Sequence, residues 1–180
     1  MLRIFLDMDE VLVKYNEPAH KRLDIQMDPW PWPDGMFELP CYTQEFWQGL
    51  DYDFWFHREP TDYANAIVNL CKTIVEPEQI WVCTTIAPLS TGIDLIAKMA
   101  WMNLHYPWLT DRLIFSWDKS FSAVRSSILI DDYWENIKAY RKAGGHGILV
   151  PAPSNFLKRS DVMTHVRRQL FKLIESGVAS

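Results

Sequence analysis

Short apolar runs recur along this chain, and most of them end on a polar residue. Ile4-Phe5-Leu6 runs into Asp7-Met8-Asp9, and Ile80-Trp81-Val82-Cys83 runs into Thr84-Thr85. Leu113-Ile114-Phe115 leads to Trp117-Asp118-Lys119, Ile128-Leu129-Ile130 to Asp131-Asp132, and Ile148-Leu149-Val150 closes the series. Brief uninterrupted runs of this kind predict strands buried on both faces, as in a parallel sheet. Between them the spacing turns helical. Ile67, Leu70, Cys71 and Ile74 predict a helix that begins at Thr61, with Thr61 or Asp62 as its cap, and ends at Glu76-Pro77. A second helix is expected after Ser90, with Ile93, Ile96, Ala100, Trp101 and Leu104 facing inward and Pro107 as its stop. A third, near residues 135–143, ends at Gly144-Gly145, which suits a left-handed C-cap. Ser160 is expected to cap the last, with Val162, Val166, Leu170 and Leu173 inward. Strand and helix alternate from residue 80 onward. That alternation predicts an α/β fold: a Rossmann-like parallel sheet with right-handed crossovers and helices on both faces.

Residues 14–76 break the pattern. Met27-Asp28-Pro29-Trp30-Pro31-Trp32-Pro33-Asp34-Gly35 is too rich in proline for a long helix or a central strand. Phe46, Trp47, Tyr52, Phe54, Trp55 and Phe56 follow it. The expected organisation is therefore a core of residues 1–13 and 77–180, with residues 14–76 inserted as an aromatic-rich cap. Its rings form either a small core of their own or a stacking surface for a flat substrate group.

Composition narrows the function. A formal net charge of -5 argues against a polymeric nucleic acid or an acidic membrane surface as partner. No run approaches ~20 apolar residues, so no membrane span is expected. The N-terminus lacks a basic segment followed by a long apolar one, so no secretory signal is expected. Cys41, Cys71 and Cys83 form no CxxC pair, which favours a reducing, cytoplasmic setting over a disulfide framework. The five histidines are scattered, and neither a GxxxxGK loop nor an HExxH motif is present.

The chemistry lies at the strand ends. In open α/β sheets ligands bind at the carboxyl edge. That edge would gather Asp7, Asp9, Thr84, Lys119, Asp131 and Asp132. Each alone reads as a cap, a turn or a solvated charge, but four in succession with complementary chemistry suit phosphoryl transfer. A phosphate monoester is a dianion, so carboxylates approach it only with a cation and a lysine to compensate. One aspartate can attack, and a neighbouring one can exchange protons.

The run Asp7-Met8-Asp9-Glu10-Val11-Leu12, with Val82-Cys83-Thr84-Thr85, Trp117-Asp118-Lys119 and Leu129-Ile130-Asp131-Asp132, resembles the four ordered motifs of the haloacid-dehalogenase (HAD) superfamily. Within it the resemblance is to the 5'(3')-deoxyribonucleotidases. It covers the first strand and residues 80–150. It implies a Rossmann-like core with a small helical cap, Asp7 as nucleophile and Asp9 as acid/base. It implies phosphate binding by Thr84, Thr85 and Lys119. Mg2+ would be held by Asp7, the backbone carbonyl of Asp9 and Asp132, with Asp131 nearby. Phe54-Trp55-Phe56 matches the segment that holds the base. The implied substrate is a small phosphate ester, a (deoxy)nucleoside monophosphate, and a homodimer is compatible with this reading. Glu10 departs from the family's glycine, Thr85 stands where serine is common, and the Pro/Trp segment at 29–33 has no counterpart. Alternatives are a phosphatase of sugar phosphates or nucleic-acid ends, and a signalling or binding domain. A response-regulator receiver places its acidic pair first, whereas here the double aspartate comes last.

Overall fold

A computed structural model describes the chain except residues 23, 25–42, 89–90, 153–154, 158–159 and 179–180. The Pro/Trp segment, Cys41 and Ser90 thus lie outside the described residues. Five strands, β1 (Arg3–Leu6), β2 (Ile80–Thr84), β3 (Leu113–Phe115), β4 (Ser127–Asp131) and β5 (His146–Leu149), form one sheet. All pairings are parallel, in the order β3-β2-β1-β4-β5. Leu6 pairs with Val82 on one side and Ile130 on the other, so the three central strands end level. Asp7, Thr84 and Asp131 therefore arrive at the same edge.

Alternation along the strands sorts the core into two faces. Ile4, Leu6, Ile80, Val82, Ile128, Ile130 and Ile148 pack with α4 (Ala64–Lys72), α5 (Ile93–His105) and α7 (Val162–Glu175). Phe5, Cys83, Leu129 and Leu149 face the other way, onto Ile137 and Tyr140 of α6 (Trp134–Lys142). Burying each large aliphatic side chain contributes about 1.5–3 kcal/mol. Gly147 lets α6 approach β5, since a Cβ there would meet Ile137 Cγ2 at 2.9 Å. Gly144, at φ +98°, ends α6 as expected.

Among the described residues, three short helices follow β1: α1 (Asn16–Arg22), α2 (Gln44–Gln48) and α3 (Tyr52–Phe56). Tyr15, Ala19, Phe46, Trp47, Leu50 and Trp55 form a separate apolar cluster that closes on Ala87 and on Ala97 of α5. α4, grouped with the insertion from sequence, places Ile67, Val68 and Cys71 in the same cluster as the sheet. Outgoing and returning chain run side by side: Lys14 N donates to Glu59 O at 2.9 Å and Thr61 N to Leu12 O at 3.0 Å.

Three local expectations are corrected. Thr61 does not cap α4; its hydroxyl donates to Val11 O at 2.8 Å, and Asp62 pairs with Lys14 at 3.0 Å. Asp161, not Ser160, caps α7 by accepting from Thr164 N. The inward face of α5 is Asp94, Ala97, Lys98, Trp101 and Met102, whereas Ile96 and Leu104 are 61% and 63% exposed. Both sets have helical spacing, and the polar set won because it meets partners at the sheet edge. No described helix is long and apolar enough to cross a membrane.

Candidate active site

β1 delivers two aspartates, and each has its own set of cations. Met8 N and Lys119 Nζ both bond Asp7 Oδ1, each at 2.7 Å. This leaves Oδ2 as the unengaged oxygen. Lys119 lies in the turn after β3, fixed by Asp118, whose Oδ1 accepts from Ser120 N. The same ammonium reaches Asp131 Oδ2 at 2.6 Å. Asp131 also accepts from Tyr133 N at 2.8 Å and from Asn136 Nδ2 at 3.0 Å. Asn155 Nδ2 bonds the carbonyls of Asp132 and Val150, which fixes the loop that presents Asp132.

Asp7, Asp131 and Asp132 offer ligand atoms within 4.8 Å of one another, all on buried residues. Three carboxylates against one lysine leave a formal charge of -2. Burial, followed by Asp131 and Asp9, pushes Asp7 up to about 7 even though Lys119 pulls the other way. Burial and the neighbouring carboxylates raise Asp132 well above the ordinary range. Burial opposes the charge on Lys119, but Asp131 and Asp7 outweigh it and keep the ammonium protonated. Hard oxygen donors with two uncompensated negative charges fit a divalent cation such as Mg2+.

Asp9 sits in a different field. Arg58 Nη1 meets its Oδ1 at 2.5 Å and Lys98 Nζ its Oδ2 at 2.7 Å. Burial alone would raise this carboxyl, but Lys98 and Arg58 prevail and hold it well below the usual carboxylate range. Lys98 also donates to Thr84 Oγ1 at 3.1 Å and to Thr85 O at 2.8 Å, so one ammonium ties Asp9 to the end of β2. The Thr84 hydroxyl, accepting from this ammonium, is itself directed at Thr85 O at 3.5 Å. Arg58 reaches Asp9 because residues 58–61 return beside residues 11–14; Trp101 Nε1 bonds its carbonyl, and its guanidinium stands 4.7 Å from the Trp55 ring.

Glu10 has φ +57°, the left-handed region. That explains why a glycine suits this position. Its Oε1 accepts from Tyr15 N at 2.9 Å and Asn16 N at 2.7 Å, and Tyr63 OH donates to its carbonyl. These bonds hold the conformation a side chain disfavours.

A cavity of about 300 Å³ opens over this edge. Asp7, Asp9, Glu10, Thr85, Lys98 and Asp132 line its floor, and Tyr15, Asn16, Trp47, Trp55, Trp117 and Tyr133 its walls. Among the expected substrate-binding residues, Trp55 lines the cavity, while Phe54 and Phe56 pack against the aromatic cluster behind it. Thr84, Lys119 and Asp131 lie directly beneath, buried. Sequence reading missed Arg58, Lys98 and Asn136. Lys98 had a signal, its i+4 spacing from Asp94 on the face of Trp101; Arg58 had none.

No protein-family model matches the chain, and no curated protein matches it. Solved structures do. A hydrolase from Pseudomonas syringae is similar over 98% of this chain and 99% of its own, with 11% identity and a TM-score of 0.54. A HAD-family hydrolase from Deinococcus radiodurans R1, with bound phosphate and sodium, is similar over 95% of both chains, with 15% identity and a TM-score of 0.58. At these identities the likeness is one of fold.

Proposed function

We propose that this chain is a divalent-cation-dependent phosphomonoester hydrolase of the HAD superfamily, acting on small phosphate esters and, within them, on (deoxy)nucleoside monophosphates. The observation that carries this reading is the charge balance at the sheet edge. Three buried carboxylates face one lysine, beside a fourth, cation-clamped aspartate, under a cavity with room for an organic group. The likeness in fold to a HAD-family hydrolase that binds phosphate supports it.

Asp7 Oδ2 attacks phosphorus, its partner oxygen being held by Met8 N and Lys119. Lys98 and Arg58 keep Asp9 ionised at rest, so Asp9 acts as a relay: it accepts the proton carried by a phosphate-ester monoanion and passes it to the leaving oxygen as the Asp7–phosphorus bond forms and the ester P–O bond breaks. Water then attacks phosphorus, Asp9 takes the proton of that water, and Asp7 regains its carboxylate as inorganic phosphate departs. Thr84 Oγ1, Thr85 N and Lys119 Nζ hold phosphoryl oxygens. Asp7, Asp131 and Asp132 would hold a divalent cation, which would supply charge stabilisation for the transferring group. Aromatic walls suit the flat, apolar part of the leaving group.

The test is phosphate release from a panel of 5'- and 3'-mononucleotides and sugar phosphates, with Mg2+ or EDTA, for wild type and Asp7→Asn. Mg2+- and Asp7-dependent release that favours nucleotides supports the reading. Preference for sugar phosphates would retain the mechanism and reject the nucleotide, and no release from any ester would reject the phosphatase.

A further inference from the structure

Asn16 opens α1 and stands in the cavity wall. It is 4% exposed. Its backbone N–H is satisfied by Glu10 Oε1 at 2.7 Å, but its side-chain Oδ1 is buried without a hydrogen-bond partner. A buried carbonyl left unpaired costs about 1–3 kcal/mol, and folded proteins keep few of them. Nothing about α1 needs this cost: an alanine would serve the backbone equally well. Glu10 anchors the residue from the backbone side. Arg58, which clamps the neighbouring Asp9, has Nη2 buried and unpaired as well. An orphan acceptor and an orphan donor thus belong to two residues tied to consecutive positions, Glu10 and Asp9. Among the described residues, Asn16 lines the cavity, whereas Arg58, Trp81, Thr110 and Arg112, which also carry an unpaired buried polar atom, do not.

We propose that Asn16 is a specificity-determining residue whose carboxamide binds a hydrogen-bond donor, an N–H or O–H, on the leaving group of the phosphate ester. This rests on the phosphatase reading. The ligand class is a phosphate monoester whose body is flat and apolar enough for Tyr15, Trp47, Trp55, Trp117 and Tyr133, and whose edge carries that donor. An ester without it leaves the Asn16 carbonyl unpaired after water has been excluded. Sites built around such a bond reject the analogue that lacks it more strongly than apolar pockets reject a missing methylene.

The experiment uses matched pairs: a donor-bearing ester and its methyl-capped counterpart. Uridine 5'-phosphate with 3-methyluridine 5'-phosphate, and 4-acetamidophenyl phosphate with its N-methyl analogue, are two such pairs. Wild type, Asn16→Leu and Asn16→Asp are compared by kcat/KM. The wild type is expected to favour the donor-bearing member of at least one pair by about 10–100-fold, the size of one unpaired buried group. Asn16→Leu should bring that ratio below about 3, whereas Asn16→Asp, which keeps an acceptor, should retain a preference. A wild type with no preference in either pair, or a ratio unchanged in Asn16→Leu, overturns the assignment. The same ratios are read as dissociation constants in the Asp7→Asn background, from quenching of tryptophan fluorescence. The Asn16 question is thereby answered even where turnover fails. Failure of the phosphatase reading is separate: wild type would then release no phosphate even from p-nitrophenyl phosphate.

Discussion

Replacing Lys98 with methionine keeps the length of the side chain and removes its charge. Lys98 is 1% exposed at its side chain, and its ammonium makes three contacts, at 2.7 Å to Asp9, 2.8 Å to Thr85 O and 3.1 Å to Thr84 Oγ1. Breaking a buried pair by removing one partner typically costs about 3–5 kcal/mol, because the other charge is left behind. Asp9 retains Arg58 and is 21% exposed at its side chain, so the lower end applies, about 3 kcal/mol. For a chain of this size that is a fall in Tm of roughly 6–12 °C. Asp9→Asn should destabilise at least as much, since it leaves two buried cations without their carboxylate. The double variant removes one charge of each sign. Its loss should therefore fall short of the summed single losses by more than about 0.5 and up to about 3 kcal/mol, the range found for groups in direct contact. Urea unfolding of the four proteins at neutral pH in EDTA measures the cycle. Additivity to within about 0.5 kcal/mol would refute the clamp as an energetic unit.

Other outcomes follow from the same charges. Asp7 is raised to about 7 in the fold, against about 3.9 for an unfolded aspartate. The folded state then binds the extra proton between those values, so the contribution of Asp7 to stability is present below the lower one and is lost as pH rises through the upper. In EDTA, Asp7→Asn should gain stability relative to wild type between pH 4 and pH 8, read from urea midpoints; a constant difference would sink this reading. Mg2+ should raise the Tm of wild type, and Asp132→Asn, with one carboxylate fewer, should lose most of that rise; an equal rise in both would remove Asp132 from the ion site. Trp55→Ala should cost about 3–5 kcal/mol, because Trp55 is 2% exposed, stacks on Tyr15 at 5.6 Å and donates to Leu50 O. A loss below about 1 kcal/mol in urea unfolding would make its role purely one of contact with ligand.

The sheet was legible because its signal is local. Each buried strand is a few consecutive apolar residues, and each ends on the residue that the parallel register brings to the edge. The helix faces were less legible. On α5 the aliphatic set Ile93, Ile96 and Leu104 and the mixed set Asp94, Lys98, Trp101 and Met102 have equally good helical spacing. Periodicity counts apolar residues as inward and charges as outward, and it fails where a charge has a buried partner waiting. The partners of Lys98 are Asp9, which is 89 positions away, and the hydroxyl and carbonyl at the end of β2.

The site divides along the same line. Asp7, Asp9, Thr84, Asp131 and Asp132 could be read because each ends a strand or lies within three residues of its end, and Lys119 because it lies four residues beyond β3. Arg58 could not, because its place depends on two chain segments meeting 49 residues apart. Glu10 lies between these cases. Its identity marked a departure at a position that wants glycine, but its consequence needed coordinates. At φ +57° the side chain turns back over the start of α1 and accepts two backbone N–H groups. A glycine would relieve the backbone and surrender both bonds, and with them the placement of Tyr15 and Asn16 in the cavity wall. The chain thus carries a strained residue beside Asp9, its proposed acid/base, and the strain is offset by bonds that shape the wall facing the leaving group.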